Sequence, residues 1–275
     1  MMLHLLFLAG TGRGQAPTSK PISIGITDEL YSASLSEKRL LNIYLPDGYK
    51  PGDTAHYPVI YLLDGGMDED LLHVAGLVQF NSQPWVNRLA PSILVGIVNV
   101  DRKRDFSFPT TVKSDKAKYP TTGGSAKFIG FIEKELQPYI QQHYKTNGAK
   151  TLIGESMGGL LATEILFRKP GLFDKYIIIS PSLWWDNGSL LKLPTPALAA
   201  APKTDIYIGV GKEGLTPSEE PRVMEVDANL LAEKINTTGN KHLHVIFDYL
   251  PDENHATIAH QALLNAFKKL GEQSK

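Results

Sequence analysis

Short, unbroken apolar runs place the tightest limit on how this chain can fold. Residues 58–64 (PVIYLLD) are apolar from Val59 to Leu63 and end against Gly65-Gly66. A strand wetted on one face alternates apolar and polar residues. An unbroken run therefore marks a strand covered on both faces, as in a parallel sheet between helices. Residues 92–100 (SILVGIVNV), 176–180 (YIIIS), 205–210 (DIYIGV) and 244–250 (HVIFDYL) read as further strands, with a short one at 151–153. Between them lie helical patterns. In 125–144, Phe128, Phe131, Ile132, Leu136, Tyr139 and Ile140 recur at helical spacing, and Pro138 is expected to kink that helix or split it. Residues 158–168, 223–235 and 256–270 read as helices too, and 67–79 as a short one.

The start of the chain differs. Residues 24–35 and 39–45 carry β-branched and alternating apolar residues, and Pro46-Asp47-Gly48 closes the second with turn chemistry, which predicts an antiparallel hairpin. A hairpin followed by strand–helix alternation defines an α/β class. It has three layers around a mostly parallel central sheet, with antiparallel strands at the N-terminal end. No linker or repeat interrupts residues 21–275, which are expected to form one domain. Residues 1–20 stand apart. An apolar stretch at 2–9 is followed by Gly14 and Ala16 ahead of Pro17, small residues of the kind a signal peptidase prefers, but no basic residue precedes the stretch. The segment is read as a signal peptide or a disordered start, and export, periplasmic or secreted, is favoured over the cytoplasm.

Composition removes whole classes of function. Lys and Arg number 28 against 29 Asp and Glu, a net charge of −1, so the broad positive field that non-specific nucleic-acid binding needs is missing. The chain has no cysteine, which excludes a disulfide scaffold, a thiol nucleophile, an iron–sulfur cluster and Cys-ligated zinc. No run approaches the ~20 apolar residues of a membrane-spanning helix. His242 and His244 share one face of a strand, but no third ligand is apparent, so surface or packing roles are expected of them. No metal or cofactor is expected, and the oligomeric state is left open.

The chemistry-bearing motif is Gly154-Glu155-Ser156-Met157-Gly158-Gly159, between an apolar strand and an amphipathic helix. A serine on such a sharp strand-to-helix turn projects its hydroxyl at the carboxyl end of the sheet, where open α/β folds place ligands. Small residues two positions either side relieve the crowding. Ser156 is the candidate nucleophile, and the Met157 N–H, at a helix N-terminus, a candidate oxyanion donor. A second donor is expected from Asp64-Gly65-Gly66 after the first parallel strand, with the Gly66 N–H chosen. The base should follow the last strand, where His255 lies. The acid should follow the strand ending near Val210, where Glu213 comes first; Glu219, Glu220, Asp227 and Asp252 are alternatives, as is a Ser–His dyad. Arg102 and Arg104 in Asp101-Arg102-Lys103-Arg104-Asp105 are candidates for clamping an anionic group, or for pairing with their own aspartates. One of Trp184 and Trp185 is a candidate aromatic wall for the substrate, the other reading being core packing.

The sequence resembles the esterase D-like family of putative esterases within the α/β-hydrolases, and within it the siderophore-esterase-like (enterochelin-type) branch. The resemblance runs in order through YLLDGG (61–66), VGIVNVDRKRDF (95–106), GGSAKFIGFIEKELQPYI (123–140), LIGESMGGLLA (152–162), ISPSLWWD (179–186), IGVGKE (208–213) and DENHATI (252–258). It implies an α/β-hydrolase fold, Ser156 as nucleophile, His255 as base, an acid near Glu213, and metal-free hydrolysis of carboxylic esters. The substrate would be a small-molecule ester, siderophore-like or of the aromatic, feruloyl type. An acyltransferase or a non-catalytic binding module on the same fold are the rival readings.

Overall fold

The computed structural model describes residues 19–52 and 54–272. The N-terminal targeting segment proposed from sequence therefore lies almost wholly outside the described residues. The chain opens with β1 (Ile26–Ser32) and β2 (Glu37–Tyr44), paired antiparallel. There follow β3 (Tyr57–Leu62), α1 (Leu71–Ser82), β4 (Ile93–Ile97), α2 (Arg102–Phe106), α3 (Lys113–Lys118), α4 (Ser125–Phe131) and α5 (Gln137–His143). The second half holds β5 (Thr146–Glu155), α6 (Met157–Arg168), β6 (Lys175–Ile179), α7 (Trp185–Lys192), α8 (Pro196–Ala199), β7 (Thr204–Gly211), α9 (Met224–Asn236), β8 (Leu243–Leu250) and α10 (Ile258–Glu272).

The strands form an 8-stranded sheet in the order β1-β2-β4-β3-β5-β6-β7-β8. β1–β2 and β2–β4 are antiparallel and every later pairing is parallel. The unbroken apolar runs have their expected cause, because side chains alternate between two covered faces. Tyr61, Leu152, Ile178, Ile206 and Ile208 pack on one face against residues of α4, α5, α6 and α9. Ile60, Leu62, Ile153, Ile177, Ile179 and Tyr207 pack on the other against α1 and α10.

The helical run over 125–144 is divided next to Pro138, as expected, though without leaving the helix. Pro138 can give no N–H to the carbonyl of Lys134, and the chain accommodates it with a π-helical turn at Ile132–Leu136 that joins α4 to α5. The segment that carries Arg102 and Arg104 is helical. It forms α2, with the Asp101 side chain accepting the Arg104 N–H at 3.0 Å as an N-cap. Among the described residues no helix is long and apolar enough to cross a membrane.

Candidate active site

The carboxyl ends of β3, β5, β7 and β8 bring the chemistry together. β5 runs into α6 through Ser156, whose backbone sits at φ 55°, ψ −115°. That left-handed conformation is costly for a residue with a Cβ and marks a strained turn. The glycines make it possible by close approach, though not in the pattern expected. A Cβ on Gly154 would lie 2.4 Å from the Gly158 carbonyl oxygen, and one on Gly159 2.9 Å from the Pro181 Cα, whereas at Gly158 the nearest atom is 3.4 Å away. The small residues the turn needs are thus Gly154 and Gly159.

His255 lies in the turn between β8 and α10. Two reciprocal bonds shape that turn: the Thr257 N–H donates to the Asn254 carbonyl, and the Asn254 N–H to the Thr257 hydroxyl, each at 3.1 Å. The turn is tied to the end of β7 by the Lys212 N–H, which donates to the Glu253 carbonyl at 2.7 Å. This contact sets His255 beside Glu213. With the proton on Nδ1, His255 donates to Glu213 Oε2 at 2.6 Å, and its Nε2 accepts from Ser156 Oγ at 3.1 Å. The Glu213 side chain is 2% exposed. Its Oε1 accepts from the Ser180 hydroxyl and, at 3.2 Å, from the Gly211 N–H. Its loop is held by the Glu225 carboxylate, which accepts the N–H groups of Glu213 and Gly214.

These contacts set the electrostatics. Burial alone would push the Glu213 carboxyl up, but the hydrogen bonds from His255 and Ser180 outweigh it and hold it below the usual carboxylate range. The Glu213 hydrogen bond lifts His255 above its ordinary value, against the opposing cost of burial. Glu155, next to the serine, is pushed up to about 7 by burial first and by the Asp70 charge second.

The oxyanion side is only partly as expected. Met157 opens α6, so its N–H belongs to the first helical turn, whose donors have no intrahelical acceptor. The Gly66 N–H, by contrast, donates to Glu69 Oε2 at 2.7 Å while the Glu69 N–H donates back to the Gly66 carbonyl at 3.1 Å. The two bonds close a 66–69 turn ahead of α1, and the Glu69 carboxylate occupies the donor that Gly66 was expected to offer. The same turn is braced by Arg102, which donates to both carboxylate oxygens of Asp64, at 2.6 and 2.8 Å, and by Asn99, which bridges Asp64 and Glu69.

The four candidates for substrate contact are engaged within the protein, in keeping with the pairing and core-packing alternatives. Arg102 is committed to Asp64. Arg104 pairs with Glu37 and Asp105, which also hold the fully buried Arg39. Trp185 is a core residue, 1% exposed, with its indole N–H donating to the Phe108 carbonyl at 2.9 Å. Trp184 packs edge-on against it and is 8% exposed. The adjacent tryptophans lie past a strand end because the segment turns back into the core, where an indole N–H can reach a carbonyl. What the sequence reading missed is in the same segment. Ser182 Oγ is 3.3 Å from Ser156 Oγ, and Ser180 reaches the acid. Their signal was position: both follow β6, the strand beside the one that carries the nucleophile.

A serine on a strained turn at the carboxyl end of a mostly parallel sheet, relayed through a histidine to a buried carboxylate, defines an α/β-hydrolase. The chain belongs to the family of putative esterases, which matches residues 32–262, and is a carboxylic ester hydrolase. It is 31% identical over 220 residues to the ferri-bacillibactin esterase BesA of Bacillus subtilis (strain 168), covering 75% of this chain and 72% of that one. Among solved structures it resembles an IroE-like serine hydrolase from Shewanella oneidensis, with TM-score 0.80 and 32% identity over 91% of this chain and 81% of that one. It also resembles the BES protein from Bacillus cereus, with TM-score 0.77 and 28% identity over 92% and 97% of the two chains.

Proposed function

We propose that this chain hydrolyses ester bonds of siderophore-type compounds through an acyl-enzyme on Ser156. The observation that carries the mechanism is the relay from Ser156 Oγ through His255 to Glu213, with both links at hydrogen-bond length. Ser156 Oγ attacks the ester carbonyl while His255 Nε2 takes its proton. The Glu213 carboxylate, fixed on Nδ1–H, keeps the imidazole in the accepting tautomer and stabilises the imidazolium. The Met157 N–H, at the positive end of α6, faces the charge that develops on the carbonyl oxygen. His255 then hands its proton to the leaving alcohol and deprotonates the water that cleaves the acyl-enzyme. Gly66, Arg102, Arg104 and the two tryptophans have no part in this scheme, because their groups are engaged within the protein.

The substrate class rests on the relatives. The ferri-bacillibactin esterase and a siderophore triacetylfusarinine C esterase of Aspergillus fumigatus, 28% identical over 196 residues, both carry such substrates in their names. The test is a panel of esters: a tris-catecholate trilactone with and without iron, a feruloyl ester and p-nitrophenyl acetate. The reading predicts the highest kcat/KM on a siderophore lactone. Preference for the feruloyl ester, with no lactone cleavage, would refute it.

A further inference from the structure

We infer that the Ser180 hydroxyl is a positioning residue for ester hydrolysis, acting as a fourth link behind the serine, the histidine and the acid. The inference rests on the triad reading above. It starts from the two oxygens of Glu213. Oε2 is taken by His255. Oε1 accepts from the Ser180 hydroxyl and from the more distant Gly211 N–H. A carboxylate with one oxygen bound can still rotate about its last bond. One with both oxygens bound to fixed donors presents a single face to the imidazole.

Ser180 is itself unusually well fixed. It sits at φ 42°, in the left-handed region that residues with a Cβ rarely adopt. Its N–H donates to the Gly209 carbonyl of β7 at 2.8 Å, one strand over and just ahead of the acid's own loop. Two residues on, the Ser182 N–H donates to the Ser156 carbonyl at 2.9 Å, and Ser182 Oγ stands 3.3 Å from the nucleophile. The turn after β6 is thus bonded both to the nucleophile's elbow and to the strand that delivers the acid. A hydroxyl fixed in that turn sets the acid in register with the serine it serves. At this fully buried serine the positive φ goes with a hydroxyl that donates to Glu213.

Two variants of the full chain separate the hydroxyl from the backbone. Ser180→Ala removes the hydroxyl and keeps the Cβ. Ser180→Gly removes the hydroxyl too but accepts a positive φ without steric cost. Turnover of p-nitrophenyl acetate is measured for kcat and KM separately, with thermal unfolding as a check and Ser156→Ala run alongside. A hydrogen bond to a charged group that is lost in the reacting complex should lower kcat by at least about tenfold in both variants, with KM changed by less than about twofold. Both variants turning over at the wild-type rate would overturn the inference. So would a loss in Ser180→Ala that Ser180→Gly restores, because the backbone and not the hydroxyl would then matter. If Ser156→Ala itself retains turnover, the triad reading fails first. If Ser156→Ala is inactive while the Ser180 variants are at full rate, only the fourth link is lost.

Discussion

Glu213→Gln is a nearly isosteric change whose cost follows from the donors around the side chain. In the wild type the carboxylate accepts three hydrogen bonds: from His255 Nδ1–H at 2.6 Å, from the Ser180 hydroxyl, and from the Gly211 N–H at 3.2 Å. An amide has one accepting end. If its oxygen stays toward Ser180 and Gly211, its NH2 faces His255 Nδ1, which must then become an acceptor. The ring proton moves to Nε2, and that nitrogen can no longer accept from Ser156. If the amide turns over, His255 keeps its proton but the NH2 meets the Gly211 N–H, donor against donor, in a site where the side chain is 2% exposed. The first arrangement leaves no clash, so it should dominate, and it carries the wrong tautomer for attack. Fixing the wrong tautomer in such a triad lowers kcat by about 10³–10⁴-fold, or roughly 4–5.5 kcal/mol of barrier. The assay is steady-state hydrolysis of p-nitrophenyl acetate with thermal unfolding as a fold check. Glu219→Gln and Glu220→Gln serve as controls and should stay near wild type. A folded Glu213→Gln enzyme within about tenfold of the wild-type kcat would refute the reasoning, and a large loss in Asp252→Asn or Asp227→Asn instead would mark a different acid.

Four further perturbations have expected outcomes. His255 must be neutral to accept the serine proton and Glu213 raises its pKa, so kcat/KM should fall on acidification with an apparent midpoint above 6.5. A limb below the ordinary histidine value, read from a pH series on p-nitrophenyl acetate, would contradict the pairing. Glu155, at about 7, titrates in the same range, and Glu155→Gln should simplify that limb to a single step. Trp185→Ala should cost about 3–5 kcal/mol by emptying a buried indole site, seen as a fall in chemical-denaturation midpoint. If it instead raised KM with stability unchanged, Trp185 would be the substrate wall after all. Arg104→Ala leaves Glu37 and Asp105 short of a partner beside buried Arg39, so it should lower the unfolding midpoint by several degrees and reduce turnover of anionic and neutral esters alike. A loss confined to anionic esters would restore the clamp.

What was legible in the sequence was whatever local physics writes locally. Unbroken apolar runs announced strands buried on both faces, and a Gly-x-Ser-x-Gly between strand and helix announced the elbow. His255 and Glu213 were legible because α/β topology delivers the carboxyl ends of successive parallel strands to one edge. The rest depended on partners far away in the chain. Arg102 reads as an anion clamp until Asp64, thirty-eight residues earlier, is seen to take both of its donors. Two tryptophans past a strand end read as a substrate wall until the segment turns back and Phe108 accepts an indole N–H. The Gly66 donor is lost to a carboxylate three residues on, since Glu69 closes the turn that precedes α1. The role of Ser180 is not legible locally, because its partner Glu213 lies thirty-three residues further on.

The central claim is that Ser156 is the nucleophile of ester hydrolysis, and covalent trapping tests it most directly. The full chain is incubated with a fluorophosphonate, which loses fluoride to an activated serine, and the product is analysed by intact mass and by peptide mapping. The account predicts one phosphonyl group per chain, on Ser156, with esterase activity lost in step with labelling and no labelling of Ser156→Ala. Label on another residue, or an unlabelled chain alongside full sensitivity of the activity, would contradict it.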